Sequence, residues 1–170
     1  MMKKEKKQKH FGFSLVEVIV GASIITVAIV AILNAYGYLI RAELSSTKLV
    51  NATYLLEEGI EAARYLRDKG WTSNIASLST STNYYLYLSA ANGMGDWQPT
   101  TTRQIIDGVF VRTLNLGSVY RDSTILQEIS ATGTIDINTR KITVTISWPG
   151  ISGATSTKSL STYLTNMNNN

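Results

Sequence analysis

A run of 23 residues, Val18 to Ile40, carries no charged side chain. Wound as an α-helix at about 1.5 Å per residue, it is about 35 Å long and covers a bilayer core of about 30 Å. Exposing about 20 apolar side chains to water, at about 1.5–3 kcal/mol each, costs tens of kcal/mol. The segment therefore belongs in lipid or in another apolar setting. Charge distribution gives it a direction. Of 16 basic and 12 acidic side chains, Lys3, Lys4, Lys6, Lys7, Lys9 and Glu5 fall in residues 1–12, leaving eleven of each sign elsewhere. The net +4 and the basic pI are thus properties of the first dozen residues. Beside a long apolar run such charge marks the cytoplasmic side of a membrane helix, and the balanced remainder argues against nucleic acid.

Composition removes several chemistries. With no cysteine, disulfides, thiolate metal sites and cysteine nucleophiles are excluded. The one histidine is His10, so a catalytic triad or a multi-histidine metal site has nothing else to draw on. A chain of 170 residues suits one modest domain plus an added element.

Nothing ends the helix where the apolar run stops. From Arg41 to Lys69 there is no proline, and Leu49, Ala52, Leu56, Gly59, Ala63 and Leu66, with Ile60 beside them, repeat at three-four spacing. Glu57, Glu58, Glu61, Arg64, Arg67 and Asp68 make the wet side, and Gly70 is the stop. One helix from about Phe13 to Lys69 is expected, its first half in lipid and its second half carrying a domain. Residues 72–83 are rich in Ser, Thr and Asn and read as a loop. The period then changes to two. Tyr84–Leu88 reads as a strand. Gln104–Ile106 and Val109–Leu116 flank the turn Asp107-Gly108. Thr132–Ile137 and Lys141–Trp148 flank Asn138-Thr139-Arg140 as a second hairpin, and Thr157–Leu164 closes the series. The expected class is α+β.

The N-terminal apolar run is about twice the length of a secretory signal core and lacks a small-residue cleavage site after it. A plain membrane anchor fits the length but leaves Glu17 and Gly12 without a purpose. A lysine-rich leader, Gly12, then Phe13-Ser14-Leu15-Val16-Glu17, then about 20 apolar residues, resembles the cleavage and methylation signal of type IV pilins and pseudopilins. The resemblance implies a pilin fold, with a long N-terminal helix packed on a small antiparallel sheet. It implies a leader at 1–12, a transmembrane and assembly half-helix at 13–40, and an extracytoplasmic head at 41–170. It further implies cleavage by prepilin peptidase between Gly12 and Phe13, N-methylation of Phe13, and a filament-assembly role for Glu17. Implied partners are that peptidase, other pilin or pseudopilin subunits, an inner-membrane assembly platform and membrane lipid. The implied location is the inner membrane, with the leader in the cytoplasm and the head outside, and then a surface or periplasmic filament. No cofactor, metal or catalytic residue is implied.

The stretch Leu55–Trp71 and the closing TRKITVTISW with the later TKSLSTYLTN resemble a minor pilin or an I-type or V-type minor pseudopilin. Three departures from major subunits agree with that. Asn34 stands where many have a kinking proline, no disulfide can form, and no acid follows Asp136 to make a calcium loop. Two other readings stay open: an uncleaved single-pass anchor bearing a binding domain, and a DNA-uptake subunit using Arg103, Arg112, Arg121, Arg140 and Lys141. Trp71, Trp97 and Trp148 read as core or loop anchors, and Tyr84, Tyr85 and Tyr87 as strand residues. Small Ala28, Ala31 and Ala35 lie on one helix side and permit close helix approach.

Overall fold

The computed structural model describes residues 12, 14–90, 95–122, 128–150 and 153–167. The chain divides into two compact units, Met1–Leu44 and Ser45–Asn170. Helix α1, Leu15–Lys69, contributes to both. It is long and apolar enough, by length and composition, to cross a membrane. In the first unit its large apolar side chains, Leu15 to Ile40, are all solvent-exposed.

In the second unit α1 is amphipathic. Ala52, Leu56, Gly59, Ile60, Ala62, Ala63 and Leu66 are buried, so the expected stripe is present from Ala52 onward. Leu49 is a correction: it is 46% exposed, one turn before the point where the sheet covers the helix. After Gly70, Trp71 is buried and Thr72–Ala76 form a π-helical turn, where a loop was expected. The reason is local and tertiary together. Asn74 donates through Nδ2 to the Gly70 carbonyl and Ser77 through Oγ to the Ser73 carbonyl, while Ile75 is pulled fully into the core.

A four-stranded antiparallel sheet lies against this helix, in the order β4-β3-β5-β6. Its strands are β3 (Val111–Arg121), β4 (Ile129–Ser130), β5 (Thr134–Pro149) and β6 (Thr155–Thr165). A separate hairpin pairs β1 (Tyr85–Ser89) with β2 (Asp96–Thr100). Tyr84 bridges Leu114, which places that hairpin beside β3. The register sets Leu114 against Val144 and Leu116 against Ile142, all buried on the helix side. The opposite face carries Thr143, Thr145 and Ser147, as period-two alternation demands. Gly59 lets helix and sheet approach closely: a Cβ there would sit 2.7 Å from Val144 Cγ1 and 3.0 Å from Arg112 Cδ.

The strands differ from expectation in three places. Asn138-Thr139-Arg140 is not a turn. β5 runs straight through it, and the β3 register jumps from Ser118↔Arg140 to Val119↔Asp136. The extra residues are held as a bulge, with the Asn138 N–H on Asp136 Oδ1 and the Asn138 carbonyl accepting from the Asn166 N–H. Gln104–Ile106 forms a single bridge, Ile106↔Phe110, and no strand. Its turn is as expected, with Asp107 at φ 51° and Gly108 at φ 68°, the left-handed pair of a tight hairpin. Finally, β2 was not expected, because Pro99 and the lack of alternation hide it. Pro99 is tolerated because β2 pairs on one side only, with β1.

Candidate assembly site

Gly12 is exposed, and a Cβ there would meet nothing within 4 Å, so its backbone is open to close approach. Phe13 and the leader residues Lys3, Lys4, Lys6, Lys7 and Lys9 lie outside the described residues. The helix starts two residues after the expected Phe13, because Ser14 caps it. Ser14 Oγ accepts from the Val16 N–H at 3.3 Å, and Glu17 Oε2 accepts from the Ser14 N–H at 3.0 Å. This is a reciprocal capping box in which two otherwise orphaned donors of the first turn are satisfied. Such a cap is worth about 1 kcal/mol. A carboxylate beside the positive end of the helix adds about 0.3–1 kcal/mol. The signal, Ser14-x-x-Glu17, is visible in the sequence, and it gives Glu17 a partner within its own chain.

Beyond the cap the segment is built for an apolar surrounding. The Ser and Thr hydroxyls of the lipid-length stretch turn back on the helix: Ser23 Oγ donates to the Ile19 carbonyl and Thr26 Oγ1 to the Ala22 carbonyl, both at 2.8 Å. Neither needs water. Ala28, Ala31 and Ala35 are exposed, so no part of the described chain occupies the face they make.

In the second unit several charged side chains hold elements together. Arg112, on the helix-facing side of β3, is only 3% exposed. Its Nη1 reaches Glu58 Oε2 at 2.6 Å and the Leu55 carbonyl at 3.3 Å, and its guanidinium lies 4.9 Å from the Trp97 ring centre. One side chain thus ties α1, β3 and β2 together. Asp96 adds a second tie between β2 and the end of α1. Bonds from Lys69, Gln98 and Tyr65 hold its carboxyl below the usual range, and the same contact holds Lys69 and Tyr65 above theirs. At the bulge, partial burial pushes Asp136 up, but the Thr139 hydroxyl, Arg121 and the Asn138 N–H together bring it below the usual range.

The cations therefore do not form one face. Arg112 and Arg121 are ion-paired inside the fold, Arg140 is half-buried, and Arg103 and Lys141 remain exposed. Trp71 and Trp148 are core residues, and Trp97 is half-buried beneath Arg112. Among the described residues no three His, Cys, Asp or Glu side chains gather as a metal site. A cavity of about 220 Å³ opens beside Trp148, between the Asp107-Gly108 turn and the start of β6. No family model matches this chain, and no curated protein or solved structure does either.

Proposed function

We propose that this protein is a structural subunit of a type IV pilus or type II secretion-like filament, a minor pilin or pseudopilin. In this reading prepilin peptidase cuts after Gly12 and methylates Phe13, and the subunit assembles through its N-terminal helix. The observation that carries the reading is the order of features along 1–40: basic leader, open glycine, Phe13, Glu17 one turn into the helix, and an apolar span. A membrane-length helix whose apolar surface is exposed throughout needs lipid before assembly and the helices of other subunits after it. Cleavage creates an α-amine with a pKa of about 8 at Phe13, a positive partner for a Glu17 of the same or a neighbouring subunit. The α+β head, with its second half-helix on an antiparallel sheet, fits a pilin head.

The capping box favours a second reading. An uncleaved membrane anchor bearing a binding domain would use Glu17 only as its own helix cap. Mass spectrometry of the N-terminus, from cells with an active prepilin peptidase, separates the two. A chain starting at methylated Phe13 supports the filament subunit. A chain retaining Met1 supports the anchor. The DNA-uptake variant draws no support from cations that do not form one face, two of them, Arg112 and Arg121, being ion-paired inside the fold.

A further inference from the structure

The cavity beside Trp148 has apolar walls from Ile105, Val109, Val111, Trp148 and Pro149, and Arg103 lines it as well. Among the described residues no acidic side chain lines it. Arg103 is exposed and has no ion pair or hydrogen bond among the described residues. A second cation stands next to the same wall: Lys48 Nζ donates to the Pro149 carbonyl at 3.3 Å and has no carboxylate partner among the described residues. Asp107 belongs to the turn that frames the cavity and does not line it. An occupant must therefore bring a carboxylate on an apolar body.

The chain itself carries such a surface. On α1, Val50, Tyr54, Glu57 and Glu61 follow one another at helical spacing, on the side of the helix away from the sheet. Val50 is 51% and Tyr54 67% exposed, a large amount of apolar and aromatic surface left in water. Glu61 is paired with Arg64, whereas Glu57 is exposed and has no partner among the described residues. Three acids of this unit lack an ion-pair partner among the described residues: Glu57, Asp107 and Glu128. Of these, only Glu57 stands beside an aromatic and an aliphatic side chain on a rigid element.

We infer that the Arg103 cavity receives the Tyr54–Glu57 stripe of a second copy of this chain. The two surfaces lie on different parts of one subunit, so the contact is heterologous, and where its rotation does not close a ring it repeats head-to-tail. That is the symmetry a filament requires, and the inference rests on the filament reading. Glu57 meets Arg103, with Lys48 adding positive potential, and Tyr54 lies against the apolar wall.

The test uses the full chain in cells that assemble it. Because the protein has no cysteine, Glu57→Cys and Arg103→Cys are the only thiols in each variant. A short bis-maleimide should give monomers with either single variant and a ladder of oligomers with the double variant. Arg103→Glu and Glu57→Arg should each lower filament yield about tenfold, the factor that accompanies about 1.4 kcal/mol. Arg103→Glu/Glu57→Arg should restore most of it. Monomers alone, a dimer without a ladder, or charge-reversed chains that do not recover in combination overturn the inference. Failure of the unaltered chain to be cut or to enter filaments at all overturns the filament reading instead. The two failures are thus distinguishable.

Discussion

Glu17 has two possible uses, and substitutions can separate them. As a cap it needs only an acceptor oxygen on the Ser14 N–H; as an assembly residue it needs its charge. Glu17→Gln should therefore keep the first turn helical and still reduce incorporation into filaments, as should Glu17→Ala, with membrane insertion intact in both. Ser14→Ala, which removes the Oγ acceptor for Val16, should weaken the helix start by about 1 kcal/mol and leave incorporation near normal. Immunogold counts on filaments, beside membrane fractionation, read both quantities. Equal incorporation of Glu17→Gln and the unaltered chain would leave Glu17 as a cap alone.

The contact of α1 with the sheet depends on Gly59 and Arg112. In an exposed helix alanine is better than glycine by about 1 kcal/mol. At Gly59 the added Cβ falls 2.7 Å from Cγ1 of Val144, a stiff β-branched side chain, and overpacking costs about 1–3 kcal/mol. Melting temperature should therefore fall from Gly to Ala to Leu at position 59, the reverse of the helix-propensity order between Gly and the other two. Thermal unfolding of the full chain in detergent, followed by tryptophan fluorescence, checks the order. Glu58→Ala leaves a buried guanidinium with a carbonyl and an aromatic face but no carboxylate. Because Glu58 is partly exposed, the loss should be about 1.5–3 kcal/mol and no more. Arg112→Met, which removes the charge together with its need for a partner, should cost less than Glu58→Ala. The reverse ranking would show that the guanidinium, and not its pairing, holds the hairpin in place.

For the molecule as a whole, acid should loosen the second unit. The Asp136 and Asp96 carboxyls are held below the value near 3.9 of an unfolded chain, so they favour the folded state fully above about pH 4. That contribution fades as pH falls through their folded values. Lys69 is held above its usual value, so its share is complete below about pH 10 and disappears as pH rises through the folded value. Unfolding midpoints from pH 7 down to pH 3 should drop less steeply in Asp136→Asn than in the unaltered chain. Asp96→Asn should flatten the alkaline limb as well, since it removes the partner of Lys69.

Periodicity and charge alone were enough for α1, for its apolar first half, and for the alternating core of β5, because these depend on side chains close in sequence. The turn at Asp107-Gly108 was legible for the same reason: its two left-handed residues are a local requirement. The motif of Gly12, Phe13 and Glu17 is linear too, and its reading rests on the sequence alone, Phe13 and the leader lying outside the described residues. Other features were decided by contacts far apart in sequence. DWQPT becomes a strand because Asp96 finds Lys69 and Trp97 finds Arg112. Asn138-Thr139-Arg140 stays inside β5 because β6 pairs along the strand through Thr139↔Thr165, where an isolated chain would have turned. Leu49 fits the stripe yet stays wet, because only the sheet's edge decides where burial begins. A short-range pattern names the surface that must be buried; which partner buries it is set by loop closures that no local pattern encodes.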